Sequence, residues 1–439
     1  MTETAAPDNR LAATLANEAG RSSMWAVWLQ IIHTSGARIY SLIAGLAILT
    51  ITARWLGPAG RGQMAAALVW ANVFFMSSYS SLNYVVIHRA SASAGERSWL
   101  PSALGTLLGF AGLMSVVCWL IAGILWFTTR GRLFGAIHPA VLVIAMLTVP
   151  FLIFEQYMNA LLISIARLDV YNRAVIAAKT LVLLLIAVFF LCRFGLPTAV
   201  AATLAGQAGL SLAGLPLAFR EAGHRMRFDP KLLRAMLSRG LRLHPSNAAM
   251  YVYSSSSVLL INRYLGTSAT GVYYLANQLV DVMLVVPFAA NLVLYEKTSA
   301  MGVAKVWPHQ RRILLSLPLL MAAACAAAAM LAPFLIPLLA GKAFAPSVAI
   351  FRSLLVLVCV GTVNAVMMPQ WISRGLFGAI SIINVTAAAI NLTAGFLLIK
   401  TMGIQGVIIA TILGYSTTCV ASLVLAVRCE IEYRRTRIA

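Results

Sequence analysis

The sequence predicts an all-α polytopic membrane protein with twelve transmembrane helices, and three observations carry that prediction. Hydrophobic residues make up 61% of the 439 and charged residues only 10%, with a mean hydropathy of +0.88. A soluble domain needs about a quarter charged residues to cover its surface. Long apolar runs recur from Trp25 to Val427, and such runs cross a bilayer as helices because only then is every backbone group satisfied within the segment. Third, short motifs recur at one offset and divide the runs into two sets of six.

Taken in order, residues 1–30 form a polar N-terminal segment with Asp8, Arg10, Glu18 and Arg21, without the apolar core of a cleavable signal peptide. A span needs about 20 mostly apolar residues. Runs of that kind lie at roughly 31–53, 63–87, 100–127, 140–166, 174–192, 197–219, 245–262, 270–295, 313–339, 346–372, 377–399 and 404–427. Spans one to six make an N-lobe over 31–219 and spans seven to twelve a C-lobe over 245–427; 220–244 is a basic linker and 428–439 a tail.

The chain holds 33 Lys and Arg against 12 Asp and Glu, formally +21. In a soluble protein that balance would suggest nucleic acid; in a membrane protein it reports topology, and no nucleic-acid partner is expected. An even number of spans puts both termini on one side. If that side is the cytoplasm, its segments hold 22 of the 33 basic residues, the outer loops 8 and the spans 3, so the termini are expected inside. The outer loops then contain no Asp or Glu, a mildly basic face that suits a polyanionic product. Within the linker, Asp229 and Pro230 suit the N-cap and first position of a helix. Leu233, Leu237 and Leu241 would share one face of it, lying on the inner leaflet with basic residues drawn to anionic membrane lipids.

Five of the six cysteines fall inside apolar runs, no CxxC occurs, and the histidines show no ligand spacing, so neither a disulfide framework nor a metal site is expected. Gly57 and Gly62 have P-loop spacing, but Gln63 and Met64 stand where lysine and a hydroxyl are needed. With no catalytic motif, the chain reads as a carrier without a cofactor rather than an enzyme, drawing on a gradient of H+ or Na+ or on chemistry elsewhere.

The repeat rests on two matches. RWLGPAGRG at Arg54–Gly62 returns as RYLGTSATG at Arg263–Gly271, an offset of 209, and GLPTAVAATLAG at Gly195–Gly206 returns as GIQGVIIATILG at Gly403–Gly414, an offset of 208. Each half has an even number of spans, so the halves insert in the same orientation about an axis along the membrane normal, and parallel repeats of this kind bracket a substrate path.

Arg38, Glu155, Lys179, Asp281 and Arg352 lie inside spans, where each costs about 2.5–3.5 kcal/mol at the bilayer centre. A hydrated cavity explains them; buried structural pairs are the alternative. Thr34, Arg38, Ser41 and Gly45 follow one helical stripe, as do Asn277, Asp281 and Asn291, and Thr148, Glu155 and Asn159. Asn72, in a stripe with Tyr79 and Asn83, is the repeat counterpart of Asp281. Asn391 and Ser254 to Ser257 read as packing elements, and Gly105 with Gly109 as a GxxxG helix contact.

Beyond these patterns, RWLGPAGRGQ, RYLGTSATGVYYLA, GKAFAPSVAIFRSLL and NLTAGFLLIKTMGIQGVIIATILGY together resemble the polysaccharide-transporter branch of the multidrug, oligosaccharidyl-lipid and polysaccharide exporter superfamily. The resemblance implies two six-helix lobes around a V-shaped cavity and flipping of an undecaprenyl-diphosphate-linked oligosaccharide across the bacterial inner membrane by alternating access. O-antigen or exopolysaccharide synthesis would be served, with a polysaccharide polymerase and export machinery as partners. On that reading Arg38, Lys179 and Arg352, with Asn72 and Asn277, bind the diphosphate headgroup, and Asp281 and Glu155 couple an ion. Members often carry an acid in span seven where this chain has Ser257, which moves the coupling expectation to Asp281. A cation-coupled drug or metabolite antiporter of the same superfamily is the rival, disfavoured by three intramembrane bases against two acids. A peptidoglycan-precursor flippase usually has further spans, and a membrane glycosyltransferase would need larger outer loops.

Overall fold

A chain this apolar has only helices available to it, and helices are what it forms: among the described residues there is no strand. The structure is a computed structural model that describes the backbone of residues 9–92 and 97–438, and their side chains apart from those of 9–38, 88, 91–92, 242–243, 246, 252, 299–300 and 436–438. The side chains of the expected N-terminal segment and of Arg38 lie outside the described residues.

The first half comprises α1 (Asn9–Ser78), α2 (Leu82–Ala92), α3 (Leu100–Thr129), α4 (Pro139–Met146), α5 (Val149–Ser164), α6 (Leu168–Leu191), α7 (Leu196–Leu212) and α8 (Leu215–Glu221). The second comprises α9 (Pro230–Met301), α10 (Val303–Ala340), α11 (Ser347–Leu354), α12 (Val356–Ser373) and α13 (Phe377–Ile438). Nine helical stretches among the described residues are long and apolar enough to cross a membrane. Three of them, in α1, α9 and α13, are broken by a glycine with non-helical backbone: Gly57, Gly266 and Gly403. Each of those three is two membrane helices end to end, which brings the crossings to the twelve expected.

The breaks explain half of the repeated motif. Gly57 (φ 62°) and Gly266 (φ 86°) stand at the offset of 209 and turn the chain through the left-handed region that a β-carbon penalises. A further repeat emerges from the structure. Gly131-Arg-Leu-Phe134 and Gly341-Lys-Ala-Phe344 each form a 3-10 turn with its Phe fully buried, at an offset of 210. Sequence reading passed over this pair because only a glycine, a basic residue and a phenylalanine agree.

One core fills the N-lobe around Leu100, Leu104, Ile153, Tyr157 and Leu161, and the Tyr157 hydroxyl donates to the Tyr79 carbonyl at 2.7 Å. A second fills the C-lobe around Tyr273, Phe344, Leu354 and Val358, and takes in Leu49, Ala53 and Val69 from α1, so the lobes share packing near the repeated motifs. Lipid tails are as apolar as these side chains, so close fit and satisfied polar groups hold the helices together. Thr52, Ser78, Ser115, Thr362 and Thr411 each return a hydroxyl to a carbonyl four residues back. Across helices, Ser256 donates to Asn391 at 2.7 Å and Ser257 pairs with Thr411 at 2.9 Å, the packing role expected of both segments.

Two local expectations are corrected. Asp229 caps α9 as expected, accepting from the backbone nitrogens of Lys231 and Leu232 at 2.9 and 3.1 Å. The first turns of α9, however, bury Leu232 and Met236 in the N-lobe core, with Leu233 and Leu237 packed beside them; only Leu241 of the expected face is exposed. The protein itself covers this apolar face, which a single stripe cannot distinguish from lipid. Gly105 and Gly109 do not meet another helix: a β-carbon at Gly105 would lie 2.6 Å from the Arg227 nitrogen, and one at Gly109 2.9 Å from the Phe228 ring. They receive the irregular linker segment, whose Arg227 and Asp229 nitrogens donate to the Pro101 carbonyl and the Thr106 hydroxyl at 3.1 and 3.0 Å. The residues after 427 continue α13, where Glu430 accepts from Arg311 and from the Trp307 indole, and Glu432 from Arg374.

Candidate functional site

The lobes meet at one end and part at the other. At the meeting end the two copies of the repeated motif face each other across the pseudo-twofold axis. A β-carbon on Gly62 would fall on the Thr267 carbonyl oxygen and within 2.7 Å of the Gly271 nitrogen, and one on Gly271 would fall on the Pro58 carbonyl. The closing glycines of the motif are therefore there for reciprocal backbone contact. Arg61 reinforces it. Expected in an outer loop, it is only 4% exposed, and it donates to Thr52 Oγ1 and to Gln278 Oε1 of the other lobe, both at 2.5 Å, while lying over the Tyr274 ring at 5.9 Å. No carboxylate pairs with it among the described residues. Asn262 donates across the same interface to the Phe134 carbonyl at 2.9 Å, and Arg54 to the Leu339 carbonyl at 3.1 Å and to that of Leu338, the exposed C-terminal end of α10.

At the linker end the lobes enclose a cavity of about 580 Å³. Phe75 of α1, Tyr79 in the turn that follows it, Asn83 and Tyr84 of α2 and Gln156 of α5 form one wall; Asn247, Tyr251, Tyr253, Ser254 and Asn291 of α9, Asn364 and Trp371 of α12, and Asn384 and Tyr415 of α13 form the other. The described lining contains no Asp, Glu, Lys, Arg or His. Prolines shape this wall: Pro369 removes the donor for the Ala365 carbonyl, and Asn291 Nδ2 supplies one at 2.7 Å. Asn364 donates to Thr418 at 2.7 Å, the Trp371 indole to Ser422 at 3.4 Å, and the Tyr253 and Tyr415 rings pack 4.9 Å apart.

None of the charged residues singled out in the sequence is among the described lining. Asn277 and Asp281 lie on a helix that contributes to it. They belong to the α9 stripe that continues through Leu284, Phe288 and Asn291, all three of which line the cavity, so they continue that face toward the meeting end. Asn277 Nδ2 donates to Asp281 at 3.3 Å, and Asp281 has no ion pair among the described residues. Glu155 instead lies within the N-lobe, accepting from the Tyr171 hydroxyl at 2.9 Å and Gln207 at 2.6 Å; its neighbour Gln156 takes the cavity position. Asn72 returns its amide to the Leu68 carbonyl of its own helix at 2.8 Å. Lys179 is exposed on α6 beside Thr180, which bonds Tyr40 of α1 at 2.6 Å. Arg352, exposed on α11, donates at 2.9 Å to the Ala329 carbonyl, the one deprived of its donor by Pro333. The expected cations are thus dispersed, one in each lobe, with Arg38 outside the described side chains. Sequence reading missed Asn247, Asn364, Asn384 and every aromatic position but Tyr79 because it searched spans for charge. Polar singletons inside apolar runs were the available signal.

Two pseudo-symmetric helical lobes, joined at one end and open around an uncharged cavity at the other, define a multi-pass membrane transporter. Residues 27–295 match the family described as polysaccharide biosynthesis protein, more than half of the chain, and the protein belongs to that family, the branch its motifs resemble. Among solved structures it is similar to a multidrug resistance MATE family transporter of the MOP superfamily in an inward-facing conformation, at 14% identity over 90% of this chain and 96% of that one, TM-score 0.69. It is similar also to the lipid II flippase MurJ in an inward closed conformation, at 13% identity over 90% and 87%, TM-score 0.70. A MOP superfamily transporter from Pyrococcus furiosus gives 15% identity over 91% and 93%, TM-score 0.55. No curated protein matches the sequence.

Proposed function

We propose that the protein flips an undecaprenyl-diphosphate-linked oligosaccharide repeat unit across the bacterial inner membrane for surface polysaccharide synthesis, by alternating access and without a cofactor of its own. The observation that carries the reading is the cavity at the linker end, closed at the opposite end by the reciprocal Gly62 and Gly271 contact. With the basic linker facing the cytoplasm, this is the state that loads substrate from inside. The prenyl chain stays in lipid between the lobes, the headgroup meets Arg38 and Lys179, and a polymerase outside consumes the product. Asp281, continuing the cavity face without a cationic partner among the described residues, is the coupling residue for H+ or Na+.

An intramembrane carboxylate with no ion pair among the described residues would also suit a cation-coupled drug antiporter, and one experiment separates the two. Proteoliposomes carrying a fluorescent undecaprenyl-diphosphate oligosaccharide are scored by protection of the label from an impermeant reductant. The flippase reading expects protein-dependent loss of protection, faster under an imposed proton or sodium gradient, and expects Asp281→Asn to lose the stimulation while keeping downhill exchange. Gradient-driven uptake of a lipophilic cation with no effect on the lipid would establish the antiporter instead.

A further inference from the structure

We infer that the cavity is a binding chamber for uncharged sugar, selecting the glycan of the carried lipid rather than its diphosphate; this rests on the flippase reading above. The chemistry of the wall is the argument. Aromatic rings stand on both sides: Tyr79 and Tyr84 from the N-lobe, Tyr253, Trp371 and Tyr415 from the C-lobe. Carboxamides lie between them, among them Asn83, Asn247, Asn364 and Asn384. Rings offer flat apolar faces to the C–H side of a pyranose, and carboxamides both donate to and accept from hydroxyls without imposing charge.

Part of that hydrogen-bonding capacity is unspent. Asn83 and Asn364 line the cavity, and the Oδ1 of each is buried with no donor among the described residues. Buried carboxamide oxygens are rarely left so, and a hydroxyl is the group that supplies a donor without bringing a charge. The volume of about 580 Å³ falls within the ~300–1,000 Å³ of sites that enclose small ligands, room for a few sugar rings and not for a polymer. A carboxylate on the sugar would enter a wall whose described residues hold no cation, and an anion taken from water without a partner is strongly disfavoured.

The test uses the full protein in nanodiscs and three synthetic probes: undecaprenyl diphosphate bearing a neutral hexose tetrasaccharide, the same lipid with one hexose replaced by a hexuronic acid, and undecaprenyl diphosphate alone. Binding is read from quenching of tryptophan fluorescence. The neutral glycolipid is expected to bind about tenfold or more tightly than the uronate form, the penalty of leaving one charge unpaired, and more tightly than the bare diphosphate. Asn364→Ala and Tyr415→Ala should each weaken the neutral probe severalfold while leaving the bare diphosphate unchanged; their folding is checked by thermal unfolding. Equal or tighter binding of the uronate probe, or equal binding of the bare diphosphate, overturns the neutral chamber while leaving the flippase reading intact. Binding of none of the three overturns the flippase reading itself.

Discussion

The two ends of the molecule solve opposite problems with the same repeat. At the meeting end, each copy of the motif contributes one glycine to turn the chain and one to let backbone touch backbone, and buried Arg61 bridges the lobes. At the linker end the same helices diverge, and their polar residues are carboxamides and hydroxyls facing a cavity. The first end is sensitive to a single methyl group. The second tolerates change, because its side chains border space rather than backbone.

The comparison is broken most severely at the closing glycines. Gly271→Ala places a methyl group on the Pro58 carbonyl, and Gly62→Ala one on the Thr267 carbonyl. Neither neighbour is a flexible side chain, so the lobes must separate, at a cost on the order of 1–3 kcal/mol or more to the closed state. Spin labels at positions 59 and 268 are expected to move apart by several ångströms in pulsed distance measurements, with transport reduced at least tenfold. Unchanged distances in both variants would mean that this contact does not hold the end shut.

Arg61→Ala comes next. It removes two charge-assisted bonds and leaves Thr52 and Gln278 at a buried interface, about 1–3 kcal/mol by the usual range for such groups. Thermal unfolding in detergent should show the loss, and Arg61→Lys should recover part of it because ammonium reaches one acceptor in place of two.

On the open side, Asn364→Ala forfeits one bond to Thr418 and leaves its acceptor Oδ1, already without a donor among the described residues, simply absent. Its effect on unfolding is expected to stay below about 1 kcal/mol, whereas the sugar-binding readout should respond. A loss comparable with Arg61→Ala would erase the contrast between the ends.

The smallest expected effect is a pH dependence at the linker end. His244, ahead of the span, reaches Ser81 at 3.3 Å and packs edge-on to Tyr79, and burial holds its imidazole below the ordinary value of 6.5, against a smaller upward pull from a backbone contact at Ser77. A lowered folded value means that the neutral form is favoured by folding. The stabilisation is therefore complete above the ordinary imidazole range and fades as pH falls below 6.5 toward the folded value. Amide exchange around Ser80 and Ser81 should quicken on acidification in the wild type and lose that dependence in His244→Gln.

Much of this architecture was legible in order of residues. Apolar length gave the crossings and the offset of 209 gave the two lobes. The Asn277, Asp281 and Asn291 stripe was legible as one face, which lines the cavity at Asn291, because helical periodicity fixes which residues of one helix point together. It does not fix what stands opposite. Glu155 and Gln156 are adjacent in sequence and about 100° apart on α5, and only packing decides that Gln156 faces the cavity while Glu155 turns to Tyr171 and Gln207. Arg352 looked like a cavity cation until Pro333 was seen to leave the Ala329 carbonyl for it.

The sequence by itself determined a membrane protein of twelve crossings and its duplication, because those follow from hydrophobic length and from motifs that recur at nearly one offset. Tertiary structure alone decided that Gly62 meets Gly271 across the lobes, that Arg61 is buried between them and that amides and rings from both lobes come to border one cavity. The reason is physical: in lipid the cost of a polar group is settled by whichever neighbour lies within about 3 Å, and that neighbour comes from another helix, often hundreds of residues away.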